Sequence, residues 1–144
     1  MNVKELQIGD YVRISHRNKI GKVYRIDEAN GKGNGHAAVI DGDYNEKDLE
    51  PIPLERIHLI KNGFRVREDT DDMELFYNDG YEISVVFDDG CEIYKEDGEL
   101  FDKIPPSIYL VIEFAEKSLR MPIEYVHELQ QAMRIMGCDK EIEL

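Results

Sequence analysis

The chain has 144 residues, 42% of them hydrophobic, with eight Tyr and five Phe, a composition that excludes a disordered chain and suits one domain or two small subdomains sharing a core. Its net charge of -13 is uneven, since residues 1–51 hold eight Lys/Arg against nine Asp/Glu and residues 52–144 hold ten against 22. No apolar run approaches the roughly 18 residues of a membrane helix, and MNVKELQIGDYV lacks the apolar core of a signal peptide, so a cytoplasmic location without membrane association is expected.

From the start, LQIGDYVRI reads as a Gly-Asp turn feeding a short strand in which Val12 and Ile14 alternate with polar positions. KIGKVYRID, residues 19–27, is rich in strand formers but has Ile20 and Val23 out of phase, which points to a bulge at Gly21. The glycines of GKGNGH, residues 31–36, lie before AAVID, a strand-like run. Phosphate cradles set their glycines at a strand-to-helix turn, and here no helix follows and His36 stands where G-x-G-x-x-G needs glycine. The stretch is therefore read as a hairpin loop. HAAVID reads as a buried strand, GDYNEK as a turn, and the prolines of DLEPIPL as the end of the ladder. Several short strands within residues 1–51 predict an SH3-like small β-barrel.

Further along, LERIHLIKNGF predicts a short helix with Ile57 and Ile60 at helical spacing, closed at Asn62-Gly63. MELFYN, YEISVVF and CEIYK, separated by Asp79-Gly80 and Asp89-Gly90, predict an antiparallel meander in which Tyr81, Ile83, Val85 and Phe87 face one way. EDGELFDKIPPS reads as a loop extended by Pro105 and Pro106, and IYLVIEF as another strand of the same sheet. Pro122 suits the first turn of a helix over IEYVHELQQAMRIMG, whose stripe of Val126, Leu129, Met133 and Met136 is expected to cover the meander, with Gly137 as its stop. The predicted class is α+β: a small barrel over 1–51, then an antiparallel meander packed against two helices over 52–144.

The run from Glu50 to Leu54 (EPIPL), that from Lys61 to Phe64 (KNGF) and that from Val126 to Gln130 (VHELQ) together resemble an uncharacterised protein family encoded on phages and mobile elements of gut anaerobic bacteria. Where that family has a Thr cap after the Leu of Pro-Leu, this chain has Glu55. The resemblance implies the provenance of a mobile-element accessory protein and carries no catalytic residues. Separately, GDYV and GKVYRID are similar to KOW-type and other SH3-like barrels that bind RNA or proteins.

No pattern of catalytic chemistry emerges. His16, His36, His58 and His127 are dispersed without metal-ligand spacing, no G-x-S-x-G surrounds a serine, and Cys91 and Cys138 lack a C-x-x-C partner. The run EDTDDMELFYNDG offers Asp69 and Asp71 at alternate positions, but Met73 and Glu74 stand where a calcium loop needs a ligand and then a glycine. No enzyme activity, cofactor or metal is expected. The predicted function is binding of a protein partner. A first alternative is nucleic-acid binding through the acid-free hairpin 11–25, where Arg13, Arg17, Lys19, Lys22 and Arg25 are interleaved with Tyr11 and Tyr24. The acidic whole chain counts against it. A second is mimicry of DNA by the strip 68–102, which carries 14 carboxylates and Lys95 as its one cation. His127 is placed on the polar side of its helix, as a capping or packing residue rather than a ligand.

Overall fold

The structure, a computed structural model, describes residues 1–27, 36–39, 42–78, 80, 82–114, 116–138 and 140–144. The glycine-rich loop of GKGNGH and the turn residue Asp79, together with Tyr81, lie outside the described residues. The fold is α+β: mostly antiparallel sheet with two α-helices. It divides into two compact units, Met1–Leu54 with Tyr125–Gly137, and Glu55–Glu124 with Cys138–Leu144. No helix is long and apolar enough to cross a membrane among the described residues.

The first unit is built on strands β1 (Tyr11–Ile14), β2 (Lys19–Asp27), β3 (His36–Val39), β4 (Gly42–Asn45) and β5 (Leu49–Glu50), in sheet order β4-β3-β2-β1-β5. The ladder is open, because β4 and β5 end the order without pairing to each other among the described residues. Gly21 pairs in register with Val12, and the irregularity falls instead between Val23 and Arg25, at Tyr24. The phase change in KIGKVYRID was visible in the sequence, but glycine was the wrong marker for it. GDYN is strand rather than turn, because it pairs with all of β3. Val12, Ile14 and Val23 point inward onto Leu6, Tyr44 and Leu49 to make the core of this unit.

In the second unit, helix α1 (Arg56–Lys61) buries Leu59 and leaves Ile57 and Ile60 exposed, so one residue rather than the expected pair anchors it. Gly63, at φ 82, closes it in the left-handed conformation that glycine adopts without a Cβ penalty. Asn62 ties the C-terminal segment down, its Nδ2 donating to the Glu143 carbonyl at 2.8 Å and its Oδ1 accepting from the Glu143 N–H at 2.7 Å. Strands β6 (Arg65–Asp69), β7 (Met73–Asn78), β8 (Ile83–Asp88), β11 (Ser107–Phe114) and β12 (Lys117–Pro122) form a five-stranded antiparallel sheet in the order β12-β11-β8-β7-β6. The central strand β8 is buried on both faces, with Ser84 and Val86 enclosed as well as Ile83, Val85 and Phe87, which replaces the one-faced alternation read from the sequence.

Two further differences matter for function. CEIYK does not extend the meander: among the described residues β9 (Cys91–Tyr94) pairs only with β10 (Leu100–Ile104), a strand where the sequence suggested a loop. Pro122 ends β12 rather than opening a helix, and helix α2 (Val126–Ile135) begins four residues later and belongs to the first unit. Its polar side chains Gln130 and Gln131 reach residues 5–11 of that unit. A hydrophobic stripe specifies that a helix must be covered, but not by which sheet.

Candidate functional site

Hydrogen bonding decides which polar residues are available to a ligand. The Asp10 carboxylate is fully buried and accepts from the Gln7 N–H at 2.8 Å, Gln131 Nε2 at 2.7 Å and Arg134 Nη1 at 2.6 Å. An ionised carboxylate withdrawn from water needs such partners, and three donors supply them. Beside it Gln130 is also buried: its Oε1 accepts from the Tyr11 N–H at 3.0 Å and its Nε2 donates to the Gly9 carbonyl at 3.2 Å. The Gln130 amide thus pairs the chain at 9–11 as a neighbouring strand would. These groups are consumed in holding α2 to the loop before β1.

His127 lies against this network rather than on the polar surface where the sequence placed it. It is buried, its ring stacks on Tyr125 with centroids 5.8 Å apart and planes at 9°, and Nδ1 has no hydrogen-bond partner among the described residues. Burial pushes its pKa below the ordinary histidine value, against the opposing pull of Asp10, Glu128 and Glu5. A neutral imidazole stacked in the interior packs the helix start.

The basic hairpin is split by the strand pleat. Tyr11, Arg13, Ile20 and Lys22 share the outward face of β1 and β2, and Lys22 Nζ lies 5.8 Å from the Tyr11 ring centroid. Arg25 turns to Asp27 and Asp43, at 3.0 Å each. Arg17 sits 5.8 Å from the centroid of Tyr44, a core residue. Lys19 pairs with Ile14 at the far end of the hairpin, and Tyr24 is exposed at the bulge. The structure therefore brings together Tyr11, Arg13 and Lys22 and does not gather the remaining cations with them.

A group of exposed apolar side chains lies elsewhere, on the stretches that the sequence suggested were a meander strand and an extended loop. Every residue of β9 and of β10 is exposed, including Ile93, Tyr94, Leu100, Phe101 (67%) and Ile104. The register puts Glu92, Tyr94, Leu100 and Lys103 on one face and Cys91, Ile93, Asp102 and Ile104 on the other, with Phe101 the extra residue of a bulge. Glu92 accepts a hydrogen bond from the Tyr94 hydroxyl and lies 3.5 Å from Lys103 Nζ, which holds the Glu92 carboxyl below and the Tyr94 hydroxyl above their ordinary pKa values. The turn is closed by Gly98 at φ 88, with the Lys95 N–H donating to the Glu99 carbonyl at 2.8 Å. At its base Gly90, at φ 73, leaves no room for a side chain, because a Cβ would run into the Ile104 carbonyl. The available sequence signal was the pairing of CEIY with ELFDKI around Glu-Asp-Gly; the two prolines after it obscured the strand.

Cys91 is exposed and Cys138 buried, and neither forms a disulfide among the described residues. Among the described residues, no group of His, Cys, Asp and Glu is arranged to hold a metal ion. Compared with family models, curated proteins and solved structures, the chain matches none.

Proposed function

We propose that the protein is a non-enzymatic binding protein that engages a basic protein partner through the β9–β10 hairpin. The observation that carries this reading is the exposure of Ile93, Tyr94, Leu100, Phe101 and Ile104 on a ribbon whose two strands pair only with each other among the described residues. An isolated two-stranded ribbon is marginal in water, and large apolar side chains exposed on both of its faces beside charged ones suit an interaction site. The rim supplies the partner's chemistry: Glu92, Glu96, Asp97, Glu99 and Asp102 outnumber Lys95 and Lys103. Charge complementarity steers a cationic surface toward this hairpin, while a second copy of a chain carrying -13 is repelled. The acidic strip 68–102 enters as part of that steering field.

A cytoplasmic, mobile-element setting and an SH3-like character of the first unit are part of the same proposal. They are supported by the EPIPL, KNGF and VHELQ motifs and by the short antiparallel strands. Nucleic-acid binding is a second reading, favoured by the joint placement of Tyr11, Arg13 and Lys22 on one face. Salt-dependent anisotropy with labelled RNA and DNA tests it, with Arg13→Glu and Lys22→Glu as the variants that must abolish binding.

The test of the main reading is a photo-crosslinking amino acid at position 101, with the same residue at exposed Leu119 as control. A basic protein captured from position 101 alone, whose purified form then loses binding to Phe101→Ser and Ile93→Ser, supports it. Equal capture from both positions sinks it. Concentration-dependent dimerisation that Phe101→Ser removes would instead make a second copy the occupant.

A further inference from the structure

Among the described residues strand β6 pairs with β7 alone and forms one edge of the five-stranded sheet. In a regular strand consecutive side chains point to opposite faces, so three in a row do not line one pocket. Here Arg65, Val66 and Arg67 do so together with Tyr77, around a cavity of about 400 Å³. The cause lies in the register: Arg65 opposes Tyr77, Val66 opposes Phe76, and the next opposed pair is Glu68 with Leu75. Arg67 is the extra residue of a bulge, and a bulge at a sheet edge re-aims a side chain and ends regular pairing.

The same bulge disfavours addition of a further strand at this edge, which narrows the occupant to something small. Arg67 lies 5.0 Å from the centroid of Tyr77, an arrangement that positions the guanidinium while leaving its N–H donors for other use. Neither Arg65 nor Arg67 has a carboxylate partner among the described residues, although the chain carries 31 Asp and Glu. By contrast Arg56, in the same unit, is held by Glu74 at 2.7 Å and Asp89 at 3.6 Å. Two exposed guanidiniums that line one pocket, without a carboxylate partner among the described residues, leave donors for an anion to join.

We propose that the bulged β6 edge binds a small oxyanion-bearing ligand. The Arg65 and Arg67 forks grip its phosphate or carboxylate, and Val66 with Tyr77 provides a wall for an adjoining apolar or aromatic group. The pocket volume exceeds what a bare anion needs and falls within the range of small-molecule sites. This inference is independent of the hairpin reading, because no residue of β9 or β10 lines the pocket.

The experiment is an amide chemical-shift titration of the full chain with three probes: phenyl phosphate, benzoate and benzyl alcohol, each up to about 10 mM, the weakest range that still reports a site. Saturable shifts centred on residues 65–67 and 77 with one or both anions, weakened about tenfold in Arg65→Gln and in Arg67→Gln, support the proposal. Preference between the two anions identifies a phosphate or a carboxylate as the group recognised. The proposal is overturned if neither anion saturates, if benzyl alcohol matches them, or if the shifts persist in both variants. Both arginines are exposed, so the variants retain the fold, which the spectrum of each checks directly. Phe101→Ser serves as a control that leaves these shifts unchanged.

Discussion

In the β1–β2 hairpin one face carries Val12, Ile14 and Val23 into the core, and neighbouring strands β5 and β3 pair with its outer edges. The β9–β10 hairpin also carries large apolar residues, Ile93, Tyr94, Leu100, Phe101 and Ile104, yet no strand flanks it among the described residues and both faces meet solvent. Local pattern forms a hairpin in each case, but burial requires a second surface, and only the first hairpin has one. Charge follows the same division. The basic hairpin, conspicuous in the sequence, loses Arg25 to two aspartates, whereas the ribbon, whose sequence suggested a meander strand and a loop, keeps its large side chains exposed.

Truncation should separate the hairpins most sharply. Ile14→Ala, at a fully buried position, is expected to lose about 2–5 kcal/mol in urea denaturation, while Phe101→Ser stays within about 0.5 kcal/mol of the parent. Equal losses would show that the β9–β10 ribbon is buried in solution and would remove the basis for a docking surface. Next in size is Arg134→Met, which strands the buried Asp10 carboxylate. The expected loss is about 3 kcal/mol, at the low end for a buried pair because Arg134 keeps 29% of its side-chain surface exposed. Thermal unfolding of the variant checks it, and an unchanged midpoint would mean that Asp10 is satisfied by Gln7 and Gln131 alone.

Gly90→Ala acts on the second hairpin selectively. The left-handed backbone costs about 1–2 kcal/mol with a Cβ, and the approach of the Ile104 carbonyl adds to it. Amide exchange should accelerate across β9 and β10 with the five-stranded sheet still protected, and uniform acceleration would show that the ribbon is integral to the core. The smallest effect expected is a pH dependence. The folded-state pKa values of His127 and His58 both lie below the unfolded one, chiefly through burial, so protonation favours the unfolded chain. Stability is complete above about pH 6.5 and declines as pH falls from there toward the lowered pKa values. His127→Leu should flatten this slope between about pH 7.5 and 5.5; an unaltered slope would assign it to His58 or another group.

The sequence by itself determined the elements whose signals are local. Strands at Tyr11–Ile14 and Ser107–Phe114, the stop of α1 at Gly63 and the stop of α2 at Gly137 all follow from alternation or from glycine's access to positive φ. It also fixed the mixed, mostly antiparallel class. Tertiary structure decided what the strands and helices face: that β8 is enclosed on both sides, that CEIY pairs with LFDKI instead of extending the meander, and that α2 joins the first unit through Gln130, Gln131 and Arg134. His127 changed from a surface residue to a buried one for the same reason. Periodicity records which side of an element is apolar, whereas the identity of the covering surface depends on contacts distant in sequence, such as Gln130 with Gly9. Such a contact leaves no periodic trace in the chain.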